Sequence, residues 1–299
     1  MRYAGIYFFA LFSLLLVVVF HTHLLRLIAF AYDSHLFFYI LLVPLVSGYF
    51  LYVRRKKIFA APTHSFAAGG FLLLAGGLVY AAEVKWGPLL GPDDALTPMV
   101  AAFLLLWLGG FVGVYGLPAF RRALFPLGFL FFMVPIPAGV LDHIVVFLQK
   151  GSAAAADGIF TLTTLPVKRD GFIFALSNIE IEVAVQCSGI RSGLYLLLTG
   201  LVMGQFFLDT TSRRILLVLA VVPITIFKNG LRIVTLALLG NYVSPSILSS
   251  DLHRQGGIPF MILAVILLSI VVRWLRKSEN RAAAGNIPAI GPCLFPERR

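Results

Sequence analysis

Apolar residues in this chain come in long runs separated by short polar clusters. The runs cover 4–20, 35–53, 66–82, 98–116, 123–140, 193–208, 215–235 and 258–272. Each is near the ~20 residues that cross the hydrocarbon of a bilayer, the shorter ones borrowing from their flanks. The pattern predicts an all-α integral membrane protein with about eight transmembrane helices, forming one polytopic domain over 1–278. The tail at 279–299 lacks apolar periodicity and is expected to be a disordered cytoplasmic extension. The first run resembles a signal peptide, with Ala29-Phe30-Ala31 as a small-residue cleavage site. His21, His23 and Arg26 separate the two, so a retained span is expected.

The polar clusters set the expected orientation. Arg54-Arg55-Lys56-Lys57 closes the second run, Arg121-Arg122 separates the fourth from the fifth, and Arg213-Arg214 separates the sixth from the seventh. Arg273, Arg276, Lys277 and Arg281 follow the eighth. Lys and Arg are retained on the cytoplasmic face, and eight spans put all four clusters there without conflict. Both termini are then cytoplasmic, and 21–34, 83–97, 141–192 and 236–257 face outward.

The long outward segment is not uniform. Residues 141–165 show helical spacing with Gly and Ala and are expected to lie along the outer surface. Lys168-Arg169-Asp170-Gly171 reads as a turn. Phe172–Leu176 and Ile179–Val185 flank Ser177-Asn178, and the second run alternates apolar and polar residues. Together they predict a small outer-face β-hairpin that delivers the chain to residues 186–192, just before span six.

Composition agrees with a lipid environment. Of 299 residues, 60% are hydrophobic and 12% charged, against roughly 25% charged in soluble domains; the mean hydropathy is +0.94. A formal net charge of +11 would suggest nucleic acid in a soluble protein. Here the charges lie between apolar runs, so they are a topology signal, and no nucleic-acid partner is expected. The two cysteines, Cys187 and Cys293, form no paired-Cys or zinc-type pattern. No metal or organic cofactor is expected, and a special cysteine would act as a thiol.

Three polar features fall where polarity is costly. Cys187 sits at the outer mouth of span six beside Ser188, Gly189 and Arg191. A thiol reacts as thiolate, which nearby positive charge and a helix N-terminus favour, and Arg191 would lie one helical turn on. Lys228-Asn229-Gly230-Leu231-Arg232 interrupts the seventh run. Arg232 lies 17 residues past Ile215, roughly 26 Å along a helix and so near the outer boundary. Charges at that depth face a polar cavity, a partner or, by snorkelling, the headgroups, and Gly230 could let the helix open. His253, within Asp251–Gly257, stands just before span eight. The topology puts Cys187, Arg232 and His253 at one depth on one side. A nucleophile, a base and a cation for a developing oxyanion are what acyl transfer through a thioester requires. Gly200 and Gly204, four apart, are candidates for close helix packing.

At Cys187-Ser188-Gly189-Ile190-Arg191-Ser192, at Asn229-Gly230-Leu231-Arg232-Ile233 and at His253, the sequence resembles the exosortase/archaeosortase family of multi-pass membrane cysteine transpeptidases. The stretch around Ile181-Glu182-Val183 is similar too, and the resemblance is strongest from about 165 to 275. It implies cleavage of exported proteins at a short motif preceding a transmembrane helix and a basic cluster, a PEP-CTERM-like tail. The acyl group would then pass to a surface anchor, a membrane lipid or a surface glycan. It implies Cys187, Arg232 and His253 as catalytic residues, with Arg191, Asn229 and Ser188 binding substrate. Some members carry a soluble domain after the last span, and only a short tail follows it here. On the residues alone, a transporter and a non-catalytic assembly factor stay open. So does simple hydrolysis, because a nucleophile does not encode its acceptor.

Overall fold

Helix dominates because a chain buried in lipid must satisfy its backbone groups internally. The computed structural model describes residues 2–34, 36–60, 63–89, 91, 93–163, 166–243 and 257–285. Two compact units divide at Asp142 and His143.

The first unit contains α1 (Arg2–Val19), α2 (His21–Asp33), α3 (Val43–Ile58), α4 (Phe66–Trp86), α5 (Leu96–Arg122) and α6 (Leu124–Phe129). Its closest helix pair is α4 with α5, and small residues make that approach possible. A Cβ on Gly69 would lie 2.7 Å from the Gly113 amide nitrogen and 2.8 Å from the Gly109 carbonyl oxygen. Near its end α5 kinks at Gly116 (φ 84°), two residues before Pro118. Arg122 donates to the Lys57 carbonyl at 3.3 Å, which brings the basic ends of α3 and α5 together.

The second unit continues α7 (Ala138–Phe160) through a three-stranded sheet to α8 (Ile190–Phe207), α9 (Thr211–Tyr242) and α10 (Gly257–Gly285). The strands are β1 (Lys168–Asp170), β2 (Ile173–Ala175) and β3 (Glu180–Glu182), antiparallel in that order. The predicted hairpin is thus β2–β3, with Phe174 opposite Ile181. The residues expected to form a turn supply a third strand instead, with Arg169 opposite Phe174. Gly171 (φ 59°) and Phe172 turn the chain there.

Among the described residues, six helices are long and apolar enough to cross a membrane, and eight if each of two bent pairs is one span. The bent pairs are α1 with α2, and α6 and its following 3-10 turn with α7. The protein is therefore an all-α multi-pass membrane protein with a small sheet. The apolar run 123–140 is broken within the extended Val134–Pro137 stretch. The segment expected to lie along the outer surface becomes most of α7, whose inner face packs on α9. α10 runs on to Gly285, past residue 278.

α9 organises the second unit. One face joins Leu196 of α8 and Ala264, Leu268, Val272 and Leu275 of α10 around Leu217, Val221 and Ile224. Gly200 lies on this seam, where an added Cβ would meet Val221 at 3.2 Å and Leu268 at 3.7 Å. The other face, Ile233, Val234 and Ala237, packs with Ala153, Ala156 and Phe160 of α7 and with Phe174 and Val183 of the sheet segment. Burying Phe174 completely contributes about 2–3 kcal/mol. Polar anchors fix the sheet as well. Gln149 of α7 donates to the Val183 carbonyl at 2.5 Å, and the Asn178 backbone donates to Asn241 Oδ1 at 3.0 Å.

At the other end of α9, Glu279 accepts from the Asp209 and Thr210 amides at 3.1 and 2.7 Å. This caps the α9 N-terminus, where a carboxylate is favoured. Arg213 donates to the Leu275 carbonyl at 2.7 Å. The two basic clusters of this unit therefore share one end, and Cys187 lies toward the other.

Candidate functional site

The chain leaves β3 and tightens into a 3-10 turn over Val185–Cys187, closed by the Cys187 amide on the Ala184 carbonyl at 2.8 Å. It then reverses at Gly189 (φ 85°), which caps α8. That left-handed conformation favours glycine. It also breaks the helical register between Cys187 and Arg191. Cys187 lies before α8, not one helical turn from Arg191, and Arg191 is exposed on the first turn of α8.

The partner of Cys187 comes from α9 instead. Asn229 is fully buried and donates its amide to the Cys187 carbonyl at 2.6 Å. A carbonyl acceptor requires the NH2 end of the amide there, which fixes the orientation of Asn229. Its Oδ1 is buried and has no hydrogen-bond partner among the described residues. Gly189 lies against the same side chain, since an added Cβ would stand 3.0 Å from Asn229 Cγ.

Arg232 follows Asn229 by three residues and exerts its positive charge on the Cys187 thiol. Burial pushes the thiol pKa above its ordinary value and Arg232 pulls it back, with burial the larger effect. The larger effect favours the neutral thiol, so a base beside Cys187 would assist its ionisation. His253, the expected base, lies outside the described residues.

Ser188 is fully buried, and its hydroxyl accepts the Ile190 amide at 3.4 Å. It serves the α8 N-terminus. Gly230 does not open α9, which is helical without a break across it. Its missing side chain admits α7, where a Cβ would fall 2.8 Å from Ala155 Cβ and 3.0 Å from the Ala156 nitrogen.

Lys228 is buried rather than snorkelling, at 2% exposure, and its ammonium donates to Ser192 on the first turn of α8. The sequence reading included Lys228 in the polar cluster without a partner. Gln149 was missed altogether, although an amide within an apolar helix marks a buried polar contact.

The structure thus brings Cys187, Ser188, Asn229 and Arg232 together. It leaves Arg191 on the exposed face beside them. The arrangement offers a thiol with a fixed backbone and a guanidinium next to it, at the end of α9 away from its basic N-terminus. The family model for transmembrane exosortases matches residues 30–270, which include this site and most of both units. No curated protein matches the chain. No solved structure matches it.

Proposed function

This chain belongs to the transmembrane exosortase family, cysteine-type transpeptidases that process sorting signals of exported proteins, and we propose that Cys187 is its nucleophile. The observation that carries the assignment is the joint hold of α9 on this cysteine, Asn229 on its carbonyl and Arg232 on its thiol electrostatically.

The substrate is an exported protein with a C-terminal tail of the PEP-CTERM type, whose helix lies in the membrane and presents its outer end to Cys187. His253 accepts the thiol proton as sulfur attacks the scissile carbonyl. Arg232, always protonated, stabilises the negative oxygen of the tetrahedral intermediate. Collapse breaks the C–N bond, and the amine of the C-terminal fragment leaves with the proton from His253. A thioester to Cys187 remains. A hydroxyl or amine of a membrane lipid or surface glycan then attacks it, with His253 taking that proton, and the exported protein leaves joined to its anchor. Arg191 faces the substrate, while Ser188 and Asn229 hold the loop that carries the nucleophile. The site faces outward from the cytoplasmic membrane, with both termini inside, an orientation that the placement of the basic clusters supports.

The test is co-expression with a reporter bearing such a tail. Wild type is expected to give a shortened reporter, and Cys187→Ala at equal membrane abundance none. Mass analysis of the product's new C-terminus separates hydrolysis, which leaves a free carboxylate, from transfer, which leaves an adduct. Cleavage that survives Cys187→Ala would remove the thiol mechanism and favour an assembly-factor or transporter role.

A further inference from the structure

Lys228 has no place in the chemistry above, yet it lies at the heart of the same structure. Its side chain is 2% exposed inside a membrane-spanning helix. Among the described residues, the carboxylates in ion pairs are Asp157 and Glu279, and neither pairs with it. A buried ammonium is costly, by several kcal/mol, and an apolar side chain would fill the space more cheaply. Its retention therefore calls for a specific use.

The hydrogen bonds show one. Lys228 donates to the Ser192 hydroxyl, and that hydroxyl donates to the Gly189 carbonyl at 3.1 Å. The next residue, Asn229, donates to the Cys187 carbonyl. Two neighbouring residues of α9 thus grip two carbonyls on either side of Ser188, one directly and one through a hydroxyl. The α8 turn also lies close enough to α9 that a Cβ on Gly193 would come 3.1 Å from Thr225. We infer that Lys228 is a positioning residue for Cys187, acting through Ser192 to hold the Gly189 turn. This rests on the reading of Cys187 as nucleophile.

The chain Lys228–Ser192–Gly189 has a direction. An ammonium has donors only, so the serine oxygen must accept from it. The serine proton is then free for the Gly189 carbonyl. A charged donor at the head of the chain strengthens the second bond beyond what an isolated serine would give. Removing the charge loosens the turn, and removing the hydroxyl disconnects the charge. Both changes should have the same effect on Cys187.

The experiment uses the full chain in native membranes with Cys293→Ala, so that Cys187 is the remaining thiol. Lys228→Met, Lys228→Arg, Ser192→Ala and the Lys228→Met/Ser192→Ala double variant are compared. Reporter cleavage per folded molecule and the rate of Cys187 modification by a small maleimide across pH are both read. Lys228→Met is expected to lower kcat about 10- to 150-fold, the loss of one charged hydrogen bond, with KM little changed. Ser192→Ala should match it, and the double variant should be no worse than either single change. Lys228→Arg should restore most of the rate. In the same series the maleimide profile should shift for Lys228→Met and Ser192→Ala alike. Unchanged cleavage per folded molecule and an unchanged profile, with only abundance reduced, would overturn the inference. Additive losses would overturn it too. If wild type cleaves no reporter, the proposed function fails, while the maleimide profiles still decide the clamp. If Lys228→Met does not accumulate, a wild-type profile for Ser192→Ala overturns it.

Discussion

Replacing Gly189 by alanine perturbs the site at its most constrained point. The residue sits at φ 85°, and a Cβ there would lie 3.0 Å from Asn229 Cγ and 3.3 Å from its Cβ and Oδ1. Alanine in the left-handed region costs about 1–2 kcal/mol. Asn229 cannot retreat freely, because it is fully buried and its amide is held on the Cys187 carbonyl. Breaking that bond costs about 0.5–1.5 kcal/mol more. The sum, about 1.5–3.5 kcal/mol, lowers the population of the competent loop about 10- to 400-fold. The assay is reporter cleavage at matched membrane abundance, with maleimide modification of Cys187 in parallel. Gly158→Ala is the control, because no atom of the described residues lies within 4 Å of its added Cβ. Its helical site should gain up to about 1 kcal/mol from the better helix former. Gly189→Ala that cleaves at the wild-type rate, with an unchanged Cys187 profile, would refute the argument that this turn sets the nucleophile.

Asn229→Leu leaves the Cys187 carbonyl without its donor and should cost about 1–3 kcal/mol, read as lost cleavage. Asn229→Asp should do no better, since a carboxylate cannot donate. For Arg232→Met the sign follows from the thiol. Burial raises its pKa and Arg232 lowers it, so removing Arg232 should move the pH midpoint of Cys187 modification further upward and slow the reaction at neutral pH. Wild type itself should titrate above an ordinary cysteine. Glu279→Ala removes two amide contacts at the far end of α9. It should lower the thermal midpoint of the solubilised protein by the equivalent of about 1 kcal/mol, with cleavage per folded molecule unchanged.

Much of the architecture is visible in the hydropathy of the chain, and the exceptions have physical causes. An apolar run reports that a segment belongs in lipid but not whether it is straight. The run 123–140 contains Pro126, Pro135 and Pro137, and a proline removes a helix donor and restricts the residue before it. The chain accordingly breaks ahead of α7. The hairpin was legible because Ile181 alternates with Glu180 and Glu182. Strand β1 was not, because its three residues are exposed and charged, without apolar alternation. At the site, the sequence pointed to Cys187, Arg232 and His253 by residue type, by their shared depth in the predicted topology and by the motifs around them. It misplaced the Cys187–Arg191 relation because Gly189 was read as part of a helix start. A left-handed turn at that position cancels the four-residue spacing. Gly230 was ambiguous for a related reason: a glycine admits either a bend or a neighbour, and the neighbour is Ala155 of α7. The Lys228–Ser192 contact joins residues 36 apart, which no local pattern displays.

The central claim, that Cys187 forms an acyl-enzyme with the tail of an exported protein, is tested most directly by trapping that species. Wild type and Cys187→Ala are co-expressed with the tailed reporter, membranes are quenched in acid, and the adduct is sought before and after neutral hydroxylamine. The account predicts a covalent reporter–enzyme species in wild type that hydroxylamine releases and Cys187→Ala never forms. A hydroxylamine-stable adduct, or a shortened reporter from Cys187→Ala in wild-type yield, would contradict it.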